Sequence, residues 1–313
     1  MLKLIGVEFF KLRKRWMPYI LLLVLLATIL LPIVVNYINY NNAVTKYPDL
    51  KDITAQQDGY QGSPIITFTP GSDNPYTGPS DEDREKQQLA YQIDGWKQTL
   101  VLPDAMNNIF SSVPGLGMFL MAFLAASVVG TEYGWGTLRQ TLAKGTSRNN
   151  YLTSKLLTIS ISVLAGVIVV VVTGFIATII TSMLVEGGIV WGSFASNFFA
   201  SLGRTLLMLA VYMSIAAFFA VLLRSSAAGM AVAVAWFVGE TIIMALLGGS
   251  TGWLAEIPNY LISYNASELL AMNALSLPDD IKPWWQSCGI LLAYTTVFIT
   301  AAYYFFRRQD LTA

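Results

Sequence analysis

The chain has 313 residues, of which 55% are apolar and only 12% are charged, and its formal net charge is zero. Soluble domains carry about 25% charged residues, so this composition indicates an integral membrane protein. The absence of histidine excludes zinc hydrolases of the H-E-x-x-H type and serine hydrolases with a Ser-His-Asp triad, and the neutral balance gives no sign of a nucleic-acid partner.

The first sixteen positions predict an amphipathic helix that lies in the plane of the membrane surface. Apolar residues recur at spacings of three and four, while Lys3, Lys11 and Lys14 lie roughly opposite. We expect the apolar face to enter the acyl boundary and the lysines to meet anionic headgroups. A basic flank without a defined helix is the alternative. The residues of the predicted membrane-anchoring face are Leu2, Ile5, Phe9, Leu12 and Trp16.

Six segments are long and apolar enough to span a bilayer, which requires about 20 residues. The first follows basic residues as a signal peptide would, but its apolar run is too long and lacks a small-x-small cleavage site, so we expect it to be retained. The predicted spans are roughly 18–38, 109–130, 156–181, 198–223, 226–247 and 285–306.

Basic residues of the tails and short loops fall on one side of these spans, which predicts that both termini are cytoplasmic. The loops at 39–108 and 248–284 lie on the opposite side and hold more acidic than basic residues. The basic residues are Lys3, Lys11, Arg13, Lys14, Arg15, Arg139, Lys144, Arg148, Lys155, Arg224, Arg307 and Arg308.

The 39–108 loop is polar and rich in turn residues. Its second part, from Ser80 to about Leu102, predicts a helix, because Ser80 can cap it and the following acidic residues complement its first turn. A small external subdomain and a loosely ordered loop both fit this pattern.

The 248–284 segment contains two moderately apolar pieces, Trp253 to Leu261 and Ser267 to Leu277, that are too short to span. We expect short re-entrant or interfacial helices there, with Trp284 and Trp285 anchored at the outer interface.

The loop after the second span predicts a short helix. Trp135, Leu138 and Leu142 fall on one side of it, Gly145 is placed to end it, and Ser147 can cap the helix that follows. An apolar knob exposed to the cytoplasm predicts a soluble partner with a matching groove, although a helix lying flat on the membrane gives the same pattern.

Two charges fall inside predicted spans, Arg204 in the fourth and Glu240 in the fifth. Ionisable groups in hydrocarbon usually find a partner or a wet cavity. Because both lie about 10 Å below the outer surface at 1.5 Å per residue, we expect an ion pair between them. A substrate-binding role and a wet cavity are the alternatives.

Small residues recur at every fourth position in the fifth span and in the second span, where they allow helices to approach closely. The spacing does not distinguish packing within one subunit from packing between two. The predicted seam residues are Ala227, Ala231, Ala235 and Gly239 in the fifth span and Ala122, Ala126 and Gly130 in the second.

The loop and its flanks resemble a known family. Glu132 followed by Gly136-Thr137-Leu138-Arg139, then Gly145-Thr146-Ser147-Arg148 before Lys155, is similar to type-2 ATP-binding-cassette (ABC) permeases, as is the closing 303–310 tail. Bacitracin-resistance, lantibiotic-immunity and sodium-efflux membrane subunits are the types that the chain resembles. The topology agrees over nearly the whole chain, but the motif covers only about 25 residues.

The resemblance implies an all-α polytopic fold with an elbow helix and first transmembrane helix at 1–38, an extracytoplasmic loop or subdomain at 39–108, and five further transmembrane helices at 109–313. Segment 132–145 would be the coupling helix that docks into an ATPase subunit, and segment 248–284 would supply outer helices. The implied coupling residues are Glu132, Trp135, Leu138, Arg139 and Leu142.

The same resemblance implies a permease subunit of a bacterial plasma membrane that is not itself an enzyme. It would bind no cofactor or metal, and ATP and magnesium would be held by a cytoplasmic ABC ATPase, present in two copies, while a second permease subunit completes a homodimer or heterodimer. The sequence holds no G-x-x-x-x-G-K-[ST] phosphate loop, which agrees. The expected activity is export of an amphipathic or hydrophobic substrate such as a peptide antibiotic, a lipid-like molecule or an ion.

Three other readings stay open from the residues alone. An ion-coupled carrier or channel would need polar residues along several spans, whereas Arg204 and Glu240 stand almost alone. An intramembrane enzyme would need a companion for Glu132 or Glu240. A membrane scaffold or sensor would account for the large outer loop.

Overall fold

The computed structural model describes residues 2–50, 81–143, 145–188, 194–247, 251–272 and 283–309. The regular elements in these ranges are helices and no strand occurs in them, which confirms the all-α prediction. The α-helices are α1 (Leu2–Arg13), α2 (Met17–Lys46), α3 (Asp81–Leu100), α4 (Asp104–Gly134), α5 (Thr137–Ala143), α6 (Arg148–Glu186), α7 (Phe194–Leu222), α8 (Ser226–Leu247), α9 (Ile262–Ala271) and α10 (Trp284–Arg308).

Six of the described helices, α2, α4, α6, α7, α8 and α10, are long and apolar enough to cross a membrane. They coincide with the six predicted spans, but several are longer. At 39 residues, α6 is about 58 Å long, nearly twice the roughly 30 Å of a hydrocarbon core. Hydropathy finds only the part of a helix that lies in lipid, and therefore the sequence prediction ended these helices too early.

Two helices, α4 and α7, form the centre of the bundle and pack against each other along much of their length, with α10 against α7 and α2 against α4 and α6. Close approach of α8 to both central helices requires glycine. A Cβ on Gly130 would lie 2.4 Å from the backbone nitrogen of Ser226, and a Cβ on Gly229 would lie 2.8 Å from the Cβ of Ala220.

The two predicted small-residue rows have different surroundings. Ala122, Ala126 and Gly130 are buried inside the chain, so the row on α4 is an internal seam. On α8 the row faces away from the other described helices, since Ala227, Ala231 and Ala235 are exposed and nothing lies within 4 Å of a Cβ on the half-buried Gly239. Contact of this second row with another subunit stays a prediction.

Both ends of the described chain meet at one end of the bundle, which we call the basic end: α1, the α4–α5–α6 connection and the end of α10. There the Tyr133 hydroxyl donates to Oε1 of Gln309 at 3.0 Å, and Arg148 Nη1 donates to the carbonyl oxygen of Arg307 at 2.7 Å. The placement of both termini in the cytoplasm stays a prediction.

At the opposite end, α3 confirms the helix predicted after Ser80; Ser80 itself lies outside the described residues. The amide of Asn36 in α2 donates to Thr99 at 2.9 Å, and Lys97 forms an ion pair with Glu186 of α6 at 3.0 Å. The polar turns of α2 and α6 at this end of the bundle are thus covered by α3. Residues 51–80 of the predicted outer subdomain are outside the described part of the chain.

Short helices also occupy the described part of the 248–284 segment. A 3-10 helix, Gly252–Tyr260, leads into α9, and α10 begins at the exposed Trp284 and Trp285. The first short helix agrees with the prediction, whereas the second begins five residues earlier than expected, and residues 273–282 lie outside the described ranges.

Candidate functional site

A group of ionised side chains is buried at the basic end, where α1 packs across α4 and α6. Lys155 is 1% exposed, and its ammonium nitrogen lies 2.9 Å from Oε2 of Glu8 and 2.9 Å from Oε1 of Glu132. Its third hydrogen bond, at 3.1 Å, goes to the carbonyl oxygen of Val128. One cation therefore joins three helices that lie far apart in sequence. The buried charge cluster consists of Glu8, Lys11, Glu132, Tyr151 and Lys155.

The cluster holds equal numbers of positive and negative charges, and its ammonium and hydroxyl groups donate hydrogen bonds to its carboxylates. Lys11 Nζ lies 2.8 Å from Oε1 of Glu8 and 2.9 Å from Oε1 of Glu132, and the Tyr151 hydroxyl donates to Oε2 of Glu132. Burial alone would lower the pKa of Lys11, but its hydrogen bonds to the two carboxylates and their charges raise the pKa above its ordinary value. Two carboxylates and two ammonium groups thus neutralise each other, as burial of charge requires.

The cluster continues into the last helix. The ring of Tyr151 stacks on Phe306 of α10 with a centroid distance of 5.7 Å. Gln309, which accepts from Tyr133 of α4, donates through Nε2 to the carbonyl oxygen of Val221 at 2.6 Å. The basic ends of α4, α6, α7 and α10 are therefore linked by polar contacts in addition to apolar packing.

A short helix, α5, projects from this assembly. Gly136 and Gly145, at φ of +67° and +86°, supply the left-handed turns before and after it, and Ser147 caps α6 by accepting from the backbone N–H of Asn150 at 3.3 Å. The structure confirms the predicted roles of Gly145 and Ser147.

The predicted coupling residues do not share an exposed face. Glu132 is 3% exposed and belongs to the buried charge cluster, and Leu138 is 3% exposed in the core. Leu142 is half-buried and packs on the same core. The expectation of an exposed aliphatic knob is wrong for these positions, because the apolar side of α5 is turned onto the bundle. The side chain of Arg139 lies outside the described residues.

Among the predicted coupling residues whose side chains are described, Trp135 is the exposed one, with 68% of its surface accessible. It follows the last residue of α4 and precedes Gly136, so it sits at the corner between α4 and α5. The guanidinium of Arg15 lies 5.2 Å from the ring centroid and donates to the Thr131 hydroxyl at 3.0 Å. An aromatic ring with a cation over its face is therefore presented at the basic end and is held on α4.

The apolar face of α1 also has different surroundings from those predicted, because much of it is buried within the protein. Leu12 is buried within the protein, Ile5 and Phe9 are half-buried, and Trp16 lies after the end of α1 with 82% of its surface exposed. The side chain of Leu2 is outside the described part. The helix packs on α6 through much of the face that was assigned to lipid, because Glu8 on that face is drawn to Lys155.

The predicted ion pair between Arg204 and Glu240 is wrong, because the two side chains have other partners. Glu240 is buried and accepts from the backbone N–H of Ile262 at 3.0 Å, from the N–H of Ser263 at 2.7 Å, and from Trp236 Nε1 at 2.9 Å; the Ser263 hydroxyl donates to it as well.

Arg204 Nη1 donates instead to the carbonyl oxygen of Met272 at 3.0 Å. Ile262 begins α9 and Met272 follows its last residue, so the carboxylate lies at the amino end of α9 and the guanidinium at its carboxyl end. Each charge thus complements the helix dipole at its own terminus, and together we call them the α9 clamp.

Glu8 was missed by the sequence analysis. It lies three residues after Ile5 and four before Leu12, on the apolar face of α1. A carboxylate on such a face signals a buried cationic partner. Nothing local, however, could name Lys155, which is 147 positions away.

Comparison with protein families gave one finding. The family model described as ABC-2 family transporter protein matches residues 7–311. No curated protein and no solved structure matches the chain.

Proposed function

Because the chain belongs to the ABC-2 family of transporter proteins and is a permease subunit of an ABC transporter, we propose that it couples ATP hydrolysis on a separate cytoplasmic ATPase to export of an amphipathic or hydrophobic substrate. The geometry of the basic end carries this proposal. Trp135 stands exposed beside Arg15, and the same turn of α4 carries Glu132, the centre of the buried charge cluster.

A force applied at Trp135 would reach several spans at once. Glu132 is bound to Lys155 of α6 and Lys11 of α1, and Leu138 fixes α5 to the core. A buried, fully paired charge group resists separation, because breaking it leaves uncompensated charge in a medium of low dielectric constant. Movement of the α4–α5 corner would therefore carry α1, α4 and α6 together, as a rigid-body switch requires.

The surface of α8 supports assembly with a second permease subunit. Its small-residue row faces away from the described helices, and most of α8 is unburied within the chain. Close packing of small residues is a common way for helices to associate in lipid. Two such subunits with two ATPases would place a pathway between the subunits. The resemblance to bacitracin-resistance, lantibiotic-immunity and sodium-efflux subunits supports the export direction.

The test is the Trp135→Asp variant, purified from native membranes with whatever nucleotide-binding subunit accompanies it. A buried aromatic anchor in an interface contributes 2 kcal/mol or more, and we therefore expect roughly thirtyfold weaker retention of the ATPase. Trp253→Asp is the matched control, because Trp253 is 74% exposed at the opposite end of the bundle. Absence of an ATPase from the wild-type preparation, or equal retention by both variants, would refute the proposal.

A further inference from the structure

An apolar groove of about 360 Å³ lies between α1, α2, α4 and α6, beside the basic end. Phe9 and Leu12 line it from α1, Leu22 from α2, and Leu124 from α4, with Gly166 on α6. A Cβ on Gly166 would come no closer than 4.0 Å to Leu22, so the missing side chain leaves open space between the helices. The volume falls within the range of about 300–1,000 Å³ that is usual for small-molecule sites.

The groove is suited to a hydrocarbon chain. On α6 it extends from Ser162 to Val169, about 10 Å at 1.5 Å per residue. The Ser162 hydroxyl already donates to the carbonyl oxygen of Thr158 at 2.7 Å, and therefore it does not require a hydrogen bond from an occupant of the groove. Beside the groove, α6 exposes Ile168 and Val172, which are surfaces for the bilayer. The occupant would therefore enter from the lipid.

The mouth of the groove carries a positive charge. Arg13 lines it, and among the described residues nothing hydrogen-bonds or ion-pairs with its guanidinium, while no acidic residue belongs to the lining. The Tyr19 hydroxyl donates to the Arg13 carbonyl oxygen at 3.0 Å and thereby fixes the backbone of Arg13 against α2. Lys14 is exposed next to it.

We propose that this groove binds one anionic glycerophospholipid of the leaflet at the basic end, with an acyl chain along Gly166 and the phosphate at Arg13. A guanidinium binds phosphate oxygens in a bidentate manner. A zwitterionic choline headgroup would bring a second cation close to Arg13 and Lys14, whereas a phosphatidylglycerol headgroup would not. Electrostatics therefore selects the anionic lipid, and the apolar groove supplies the binding of its chain.

This lipid would be a structural ligand of the elbow. It would contact α1 on the face that also carries Glu8, and so it would stabilise the packing of α1 on α6 that the buried charge cluster requires. The inference does not depend on the proposed transport activity.

The experiment uses the purified full-length chain in detergent, titrated separately with phosphatidylglycerol and phosphatidylcholine of identical acyl chains, with bound lipid counted by native mass spectrometry. We expect about fivefold greater retention of phosphatidylglycerol, the preference that one cation near a headgroup provides. Arg13→Gln should abolish this preference, and Lys3→Gln, which removes an exposed charge of α1 that does not line the groove, should keep it.

A second pair of variants tests the groove itself. Gly166→Leu should lower retention of both lipids without changing their ratio, whereas Gly115→Leu, at an exposed helical glycine with open space, should not. If Gly166→Leu does not fold, the Arg13 and Lys3 variants decide. Equal retention of both lipids by the wild type, equal effects of Arg13→Gln and Lys3→Gln, or adducts on the monomer but never on a dimer would overturn the proposal; the last result would indicate that a second copy covers the groove.

Discussion

Buried charge is satisfied in different ways at the two ends of this molecule. At the basic end, Lys155 is neutralised by Glu8 and Glu132, carboxylates that come from two other helices. Near the opposite end, Glu240 is satisfied by neutral donors, chiefly the first backbone N–H groups of α9. An ion cluster holds distant segments together, whereas capture of a helix terminus fixes one local segment.

The two arrangements of buried charge therefore differ in how many helices each of them connects. The buried charge cluster joins α1, the α4–α5 corner and α6, so any change there affects these helices together. The α9 clamp orients one ten-residue helix between α7 and α8. We therefore expect global consequences from damage to the first and local consequences from damage to the second.

The largest fall in the free energy of unfolding is expected from Lys155→Met, which leaves the buried carboxylates of Glu8 and Glu132 with one shared ammonium group, that of the half-exposed Lys11, in place of two. Removal of one partner from a buried ionic group costs about 3–5 kcal/mol. The free energy of unfolding, measured in mixed detergent micelles, should fall by that amount. Lys97→Met is the matched control, because its pair with Glu186 is partly exposed and should contribute less than about 1 kcal/mol. Similar falls in the free energy of unfolding for both variants would show that the buried cluster stabilises the protein no more than a partly exposed ion pair does.

A smaller fall in the free energy of unfolding is expected from Gly130→Ala, at the contact of α4 with α8 near the basic end. The new Cβ would meet the Ser226 backbone at 2.4 Å, and overpacking of this kind costs about 3 kcal/mol. Gly239→Ala, with nothing within 4 Å of the new Cβ, should instead be neutral or stabilise by up to about 1 kcal/mol through helix propensity. The same unfolding measurement compares them, and a neutral Gly130→Ala would contradict the close approach of the two helices.

The smallest effect is expected from Glu240→Gln, because one carbonyl oxygen and one amide replace two acceptors. A donor of Ile262 or Ser263 then loses its partner, at a cost of about 2 kcal/mol. Hydrogen exchange should increase in α9 but not in α1 or α4. The exposed Glu256→Gln is the control. Faster exchange throughout the bundle would mean that the clamp is not local.

The sequence correctly predicted the features that depend on the residues of a single helix. Six spans follow from apolar length, and the ends of α5 and α6 follow from Gly145 and Ser147, because a left-handed turn and a cap depend on neighbours in the chain. The exposure of Trp135 was also predicted. Leu138 was not placed correctly, since an apolar stripe on a short helix has the same period whether it faces a partner or the helix's own bundle.

Pairing between helices could not be predicted in this way. Arg204 and Glu240 were matched by depth, a coordinate along the membrane normal that says nothing about which helices are neighbours. Glu8 and Lys155 were not matched at all, although each is an ionised residue with an apolar environment.

By itself the sequence determined that the chain crosses a membrane six times, which residues end its helices, and which family it resembles, because lipid solvation and helix capping act over one turn or one span. Tertiary structure alone decided that Glu8, Glu132 and Lys155 form one buried charge cluster and that two isolated charges clamp α9. The physical reason is that a buried charge has to be compensated in space, and the helix that brings the compensating group is chosen by packing.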